Sequence, residues 1–183
     1  MKKASVIAIA IVLLSTAANS QITKGNWLIG GNAEFSTSKT TTSEGTTSGL
    51  YISATPKIGY FLIDKLGAGL LLSYSHSTST YNNMTSKFTN LGIGPFVRYY
   101  LLPVDNRVNI LCESNFELHA FKHDHNSTST FTSYRILAGP TVFFNSSAGI
   151  EMLIGYKEYR EKNNVRDNGI YMSIGFQLYL EKK

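Results

Sequence analysis

Apolar and polar residues alternate along much of this chain, most clearly at its end. Ile170, Met172, Ile174, Phe176, Leu178 and Leu180 fall on one face of the last segment; Tyr171, Ser173, Gly175, Gln177 and Tyr179 fall on the other. A period of two predicts a β-strand with one greasy face and one small or polar face. Eleven residues is about what a tilted strand needs to cross a bilayer, roughly 9–11.

The same pattern recurs upstream. Pro56-Lys57-Ile58-Gly59-Tyr60-Phe61, Pro95-Phe96-Val97-Arg98-Tyr99-Tyr100 and Pro140-Thr141-Val142-Phe143-Phe144 share one outline, and the last strand supplies a fourth copy with Phe176 in place of proline. The spacings of 39, 45 and 36 residues suit a hairpin plus a connection, so four hairpins predict eight strands. These are placed at 26–37, 49–62, 67–75, 87–101, 108–121, 130–144, 148–160 and 168–180. The connections alternate in kind. Residues 63–66, 102–107 and 145–147 make short turns, whereas 38–48, 76–86, 122–129 and 161–167 read as longer loops rich in Ser, Thr and Asn. Short turns at one end and long polar loops at the other are the asymmetry of outer-membrane barrels. Tyr60, Phe61, Tyr99, Tyr100, Phe143, Phe144 and Tyr179 gather near the short-turn end, as an interfacial girdle would.

Residues 1–20 read as a secretory signal peptide: Lys2 and Lys3, an apolar stretch over 4–14, then the small-x-small site Ala18-Asn19-Ser20. The expected domain organisation is therefore a leader at 1–20 and one barrel domain at 21–183. No cysteine follows the cut, which argues against a lipid anchor, and the single Cys112 has no partner for an internal disulfide. Without the two leader lysines the formal charge falls from +5 to +3, too small an excess to suggest nucleic acid. Past the leader there is no apolar run long enough for a membrane helix, so a membrane-embedded chain must close into a barrel.

Several segments resemble the small outer-membrane β-barrel proteins of Bacteroidetes-type bacteria, the porin-like, eight-stranded family similar to the OmpA transmembrane domain. They are Lys24-Gly25-Asn26-Trp27-Leu28-Ile29-Gly30-Gly31, Ile58-Gly59-Tyr60-Phe61, Gly94-Pro95-Phe96-Val97-Arg98-Tyr99-Tyr100 and Ile174-Gly175-Phe176. The resemblance spans the mature chain and implies an all-β, antiparallel, up-and-down transmembrane barrel in the cell outer membrane of a Gram-negative bacterium. It implies no particular activity. One departure is that Glu181-Lys182-Lys183 follow Leu180, where such strands usually end on an aromatic. The rival is a soluble lipocalin-like ligand carrier, whose G-x-W start is matched by Gly25-Asn26-Trp27. Against it stand a charged fraction of 16%, low for a solvated exterior, and the want of a C-terminal helix after Leu180.

Small residues on the polar face suit the crowded interior of an eight-stranded barrel. The polar-face set includes Gly30, Asn32, Ser53, Gly59, Gly69, Ser73, Gly92, Gly94, Gly139, Gly155, Ser173 and Gly175. The same face carries Glu34, Lys57, Arg98, Glu113, Glu117, Arg135, Glu151 and Lys157, four acids against four bases. Uncompensated charges in a closed interior are costly, so the balance predicts pairing. Centring the turns sets Glu117 opposite Arg135 and Arg98 diagonal to Glu113. With Tyr51, Phe61, Phe88, Phe96, Tyr100, Leu111, Phe143 and Tyr159 also inward, the lumen is expected to be closed.

Catalytic and metal chemistry find little footing. His119, His123, Asp124 and His125 have metal-like spacing, but they lie where a flexible loop begins, and solvated histidines are the simpler reading. His125 and Ser127 have no obvious acid to complete a lipid-deacylating site. The Asn-x-Ser/Thr triplets at Asn83, Asn126 and Asn145 are chance matches in a bacterial chain. The expectation is a monomeric, non-enzymatic barrel without cofactor or metal, serving envelope integrity or surface contact through its loops. Expected partners are outer-membrane lipid and lipopolysaccharide, and the barrel-assembly machinery during biogenesis. A narrow porin-like channel, the soluble carrier and a lipid-modifying enzyme are the alternatives.

Overall fold

The computed structural model describes residues 22–42, 45–81, 84–123, 128–161 and 166–181. The leader read at 1–20 and the cluster residues Asp124, His125 and Ser127 lie outside them, as do Asn83 and Asn126. Every element among the described residues is a strand: β1 (Trp27–Thr42), β2 (Gly45–Ile63), β3 (Leu66–Tyr81), β4 (Met84–Tyr100), β5 (Val108–His123), β6 (Thr128–Asn145), β7 (Ala148–Glu161) and β8 (Arg166–Leu180). Neighbours in sequence pair antiparallel, and β8 returns to β1 to close the barrel.

The pairings fix the stagger. Leu28 leads in turn to Gly59, Gly69, Phe96, Asn115, Arg135, Lys157 and Gly169. Yet Leu28 itself faces Tyr179, ten residues along β8 from Gly169. Ten residues of shear in eight strands tilts them by about 40° and leaves an interior that side chains can fill. All the residues on that path face inward, and alternate residues such as Ile29, Ile58, Leu70, Ile136 and Ile154 lie exposed on the outer surface. The outside is thus an apolar band of the kind that faces lipid, and within that band the charged groups lie inside.

The strands run further than the alternation predicts. Segments 38–48 and 76–86, expected as loops, are paired strand almost throughout, with Thr40 facing Thr47 and Thr80 facing Thr85. Only residues 43–44 and 82–83 separate the strands there. Threonine is a strong strand former, so the Thr- and Ser-rich tracts extend the hairpins well past the apolar band. The registers also differ from the expected ones by two residues. Arg98 faces Glu113 directly, and Arg135 faces Asn115 with Glu117 on the diagonal. A slip of two keeps every side chain on its face, so the same residues point inward in either register.

The expected girdle divides in two, because adjacent residues of a strand point to opposite faces. Tyr99 and Phe144 face outward, as does Trp27, whose ring meets that of Tyr60 edge-on at 5.2 Å. Phe61, Tyr100, Phe143 and Tyr179 point inward and are buried together, with Ile22 capping them from the N-terminal segment. The inward glycines also have a reason beyond lumen crowding. A Cβ at Gly94 would sit 1.7 Å from the Phe116 carbonyl oxygen, and one at Gly139 would sit 1.9 Å from that of Met152. Each precedes a proline, Pro95 or Pro140, where the ladder skips its pairs and the neighbouring backbone leans in.

Candidate functional site: the lumen

Three storeys of side chains fill the barrel from the short-turn end upward. The floor is aromatic. Phe61, Tyr100, Phe143 and Tyr179 lie with ring centres 5.4–6.3 Å apart, and the Tyr100 and Tyr179 hydroxyls are 2.9 Å from each other.

The second storey is ionic. Arg98, fully buried, donates to both Glu113 and Glu151, the latter at 2.7 Å, and to the Tyr100 hydroxyl at 3.1 Å. Lys57 pairs with Glu113 from the opposite side, and the Asn115 amide donates to the same carboxylate at 3.2 Å. The Gln177 amide donates to Glu151 at 3.1 Å. Two bases and two acids thus neutralise one another, and the Phe96 ring lies under both Lys57 and Arg98 at 5.7 and 5.3 Å. This density of bonds offsets the cost of burying four charged groups together.

The third storey is looser. Arg135 pairs with Glu117 and donates through Nε to Asn115 at 2.9 Å. Lys157 makes no ion pair among the described residues; its ammonium lies over the rings of Tyr159 and Tyr171, at 4.2 and 5.1 Å. Glu34 shares the inward face but is exposed and likewise forms no ion pair among the described residues. So six of the eight predicted charges combine, and Glu34 and Lys157 stay apart. His119, expected to be a solvated histidine where a loop begins, is placed otherwise. It lies inside, stacked on Phe131 at 4.4 Å and bonded to Ser133 at 2.9 Å. Room for that ring comes from Gly92, where a Cβ would fall 2.5 Å from Nδ1. No group of three or more metal-ligating side chains occurs among the described residues.

Sequence reasoning missed the neutral partners Asn115, Gln177 and Tyr179. Their inward parity was readable, but nothing in the pattern says which neutral residue a carboxylate will meet. Most buried donors and acceptors of the lower lumen are spent on one another, while Arg98 Nε, Thr141 Oγ1 and Gln177 Oε1 are buried without a hydrogen-bond partner.

An apolar exterior, a polar self-paired interior, short turns at one end and long hairpins at the other define an outer-membrane β-barrel protein. The chain belongs to the outer membrane protein beta-barrel domain family, whose model matches residues 6–177. No curated protein matches the sequence. Among solved structures it is similar to Neisserial surface protein A, with a TM-score of 0.53 and 19% identity over 85% of this chain and 97% of that one. At that identity the likeness shows the fold alone. The family and its outer-membrane setting displace the soluble-carrier alternative.

Proposed function

We propose that this outer-membrane barrel is closed and non-enzymatic, and that it serves envelope integrity or surface contact through its four extended hairpins. The observation that carries the proposal is the lower lumen. Arg98, Glu113, Glu151 and Lys57 interlock above four packed aromatic rings, and each is at most 8% exposed. Such a plug leaves no water column, and its two carboxylates are already bonded to Arg98, Lys57, Asn115 and Gln177. By contrast, the Ser- and Thr-rich hairpins project polar, exposed surface from a rigid scaffold, which is where binding tends to reside. In this reading the short turns and both chain ends face the periplasm, the barrel works as a monomer, and its partners are membrane lipid, lipopolysaccharide and the assembly machinery.

The test is genetic and physiological. Cells lacking the protein should become sensitive to detergent or lose surface attachment, and small-solute uptake should be unchanged. Hairpin-trimmed variants should restore barrier function but not attachment. Reduced solute uptake as the only defect would favour the narrow channel instead.

A further inference from the structure

The barrel's closing seam is short. β1 and β8 share five residue pairs, from Trp27 with Leu180 to Gly31 with Phe176, whereas every other neighbouring pair of strands shares eleven to sixteen. The ladder with β8 ends at Gly31, which has a φ of +144° that glycine tolerates, while the pairing with β2 runs on unbroken. Above it, residues 32–42 pair only with β2, and residues 166–175 pair only with β7.

This opening lies within the apolar band. Phe35 on one lip, and Ile170, Met172 and Ile174 on the other, are 67–83% exposed, against 51–58% for Leu91, Ile93, Leu118 and Ile154 on fully paired walls. At the foot of the opening is a cleft lined by Ala33, Ala54, Pro56, Ile150, Ile174 and Phe176.

A second observation sits directly above. Carried round the barrel with its stagger of ten, the outward-facing Lys39 of β1, Arg160 of β7 and Arg166 of β8 come to one level, just past the end of the apolar band. Arg160 and Arg166 are direct cross-strand partners on the outer face, an arrangement that repels unless an anion sits between them. The nearby acid is Glu158, which takes bonds from Arg160, Tyr134 and Tyr156. Arg166 and Lys39 have no ion-pair partner among the described residues.

We propose that the β1–β8 seam binds a phosphorylated lipid of the lipopolysaccharide class. Its phosphates sit among Lys39, Arg160 and Arg166, and one acyl chain runs down the opening over Phe35, Ile170, Met172 and Ile174 to the cleft. Arg160 is already paired with Glu158, whereas Lys39 and Arg166 form no ion pair among the described residues; two such cations favour a lipid bearing two phosphates over a singly charged phospholipid. The inference rests on the barrel's outer-membrane setting and on the hairpin end facing outward, not on a sealed lumen.

Native mass spectrometry of the detergent-solubilised protein tests it, with rough-type lipopolysaccharide, the same lipid dephosphorylated, and phosphatidylglycerol as probes. One lipopolysaccharide should remain bound to the wild type, and binding should weaken at least tenfold for the dephosphorylated lipid. It should weaken as much for the Lys39→Gln/Arg166→Gln variant, and hardly at all for Lys122→Gln on the opposite wall. Both are surface changes, and heat-modifiable gel migration confirms that the variants fold. In a Cys112→Ser background, an Ala33→Cys/Ile174→Cys disulfide that closes the seam should expel the lipid, and reduction should readmit it. Equal binding by wild type and the double variant, equal binding of phosphatidylglycerol, or binding indifferent to the disulfide would each overturn the proposal.

Discussion

Arg98 holds the lower lumen together, and its surroundings say what its loss would do. It touches Glu113, Glu151 and Tyr100, all of them at most 2% exposed. Arg98→Ala leaves Glu151 with only amide and hydroxyl donors, at a cost of about 3–5 kcal/mol if the site is dry. Arg135→Ala should behave similarly through Glu117, whereas Lys157→Ala, losing ring contacts only, should cost about 1 kcal/mol or less. Denaturant unfolding in detergent checks the order; equal costs for all three would mean that water reaches the whole lumen. The identities of these charges were legible in the sequence, because a period of two assigns each residue its face. Their partners were not. Arg98 was placed diagonal to Glu113 and lies directly opposite it, because a slip of two leaves every face unchanged and pattern alone cannot detect it.

At the scale of elements, sequence patterning located all eight strands but undershot their length. Alternation of apolar and polar residues ends where the wall leaves the membrane, and beyond that point Ser and Thr occupy both faces, so the period disappears though the pairing continues. The extensions are therefore separable from the barrel. Replacing residues 39–48 by Asn-Gly, to join Ser38 directly to its partner Gly49 through a tight turn, should leave heat-modifiable assembly intact. Failure to assemble would show that the hairpin belongs to the folding unit. A glycine buried in the wall should be far less tolerant. Gly94→Ala drives a Cβ into the Phe116 carbonyl, a contact with backbone that has nowhere to move. It should destabilise the barrel by about 1–3 kcal/mol, as overpacking does, measured again by denaturant midpoint. The short β1–β8 ladder went unread, because both strands alternate normally through the place where their pairing stops and only Gly30-Gly31 marks it.

The whole molecule is an apolar wall that faces lipid around an interior whose buried charges are largely paired, the reverse of a soluble barrel. Its solubility should accordingly depend on detergent, and a monodisperse protein in plain buffer would contradict the fold's orientation. The central claim is narrower: the lumen is blocked by interlocked charges over an aromatic floor. Conductance in a planar bilayer tests this most directly, because a continuous water path carries ions whatever the protein's biological role. Wild-type protein is predicted to give no steady current beyond rare, small openings, and Arg98→Ala to leak if it still assembles. Large, stable channels from the unmodified protein would contradict the blocked lumen and make the barrel a pore.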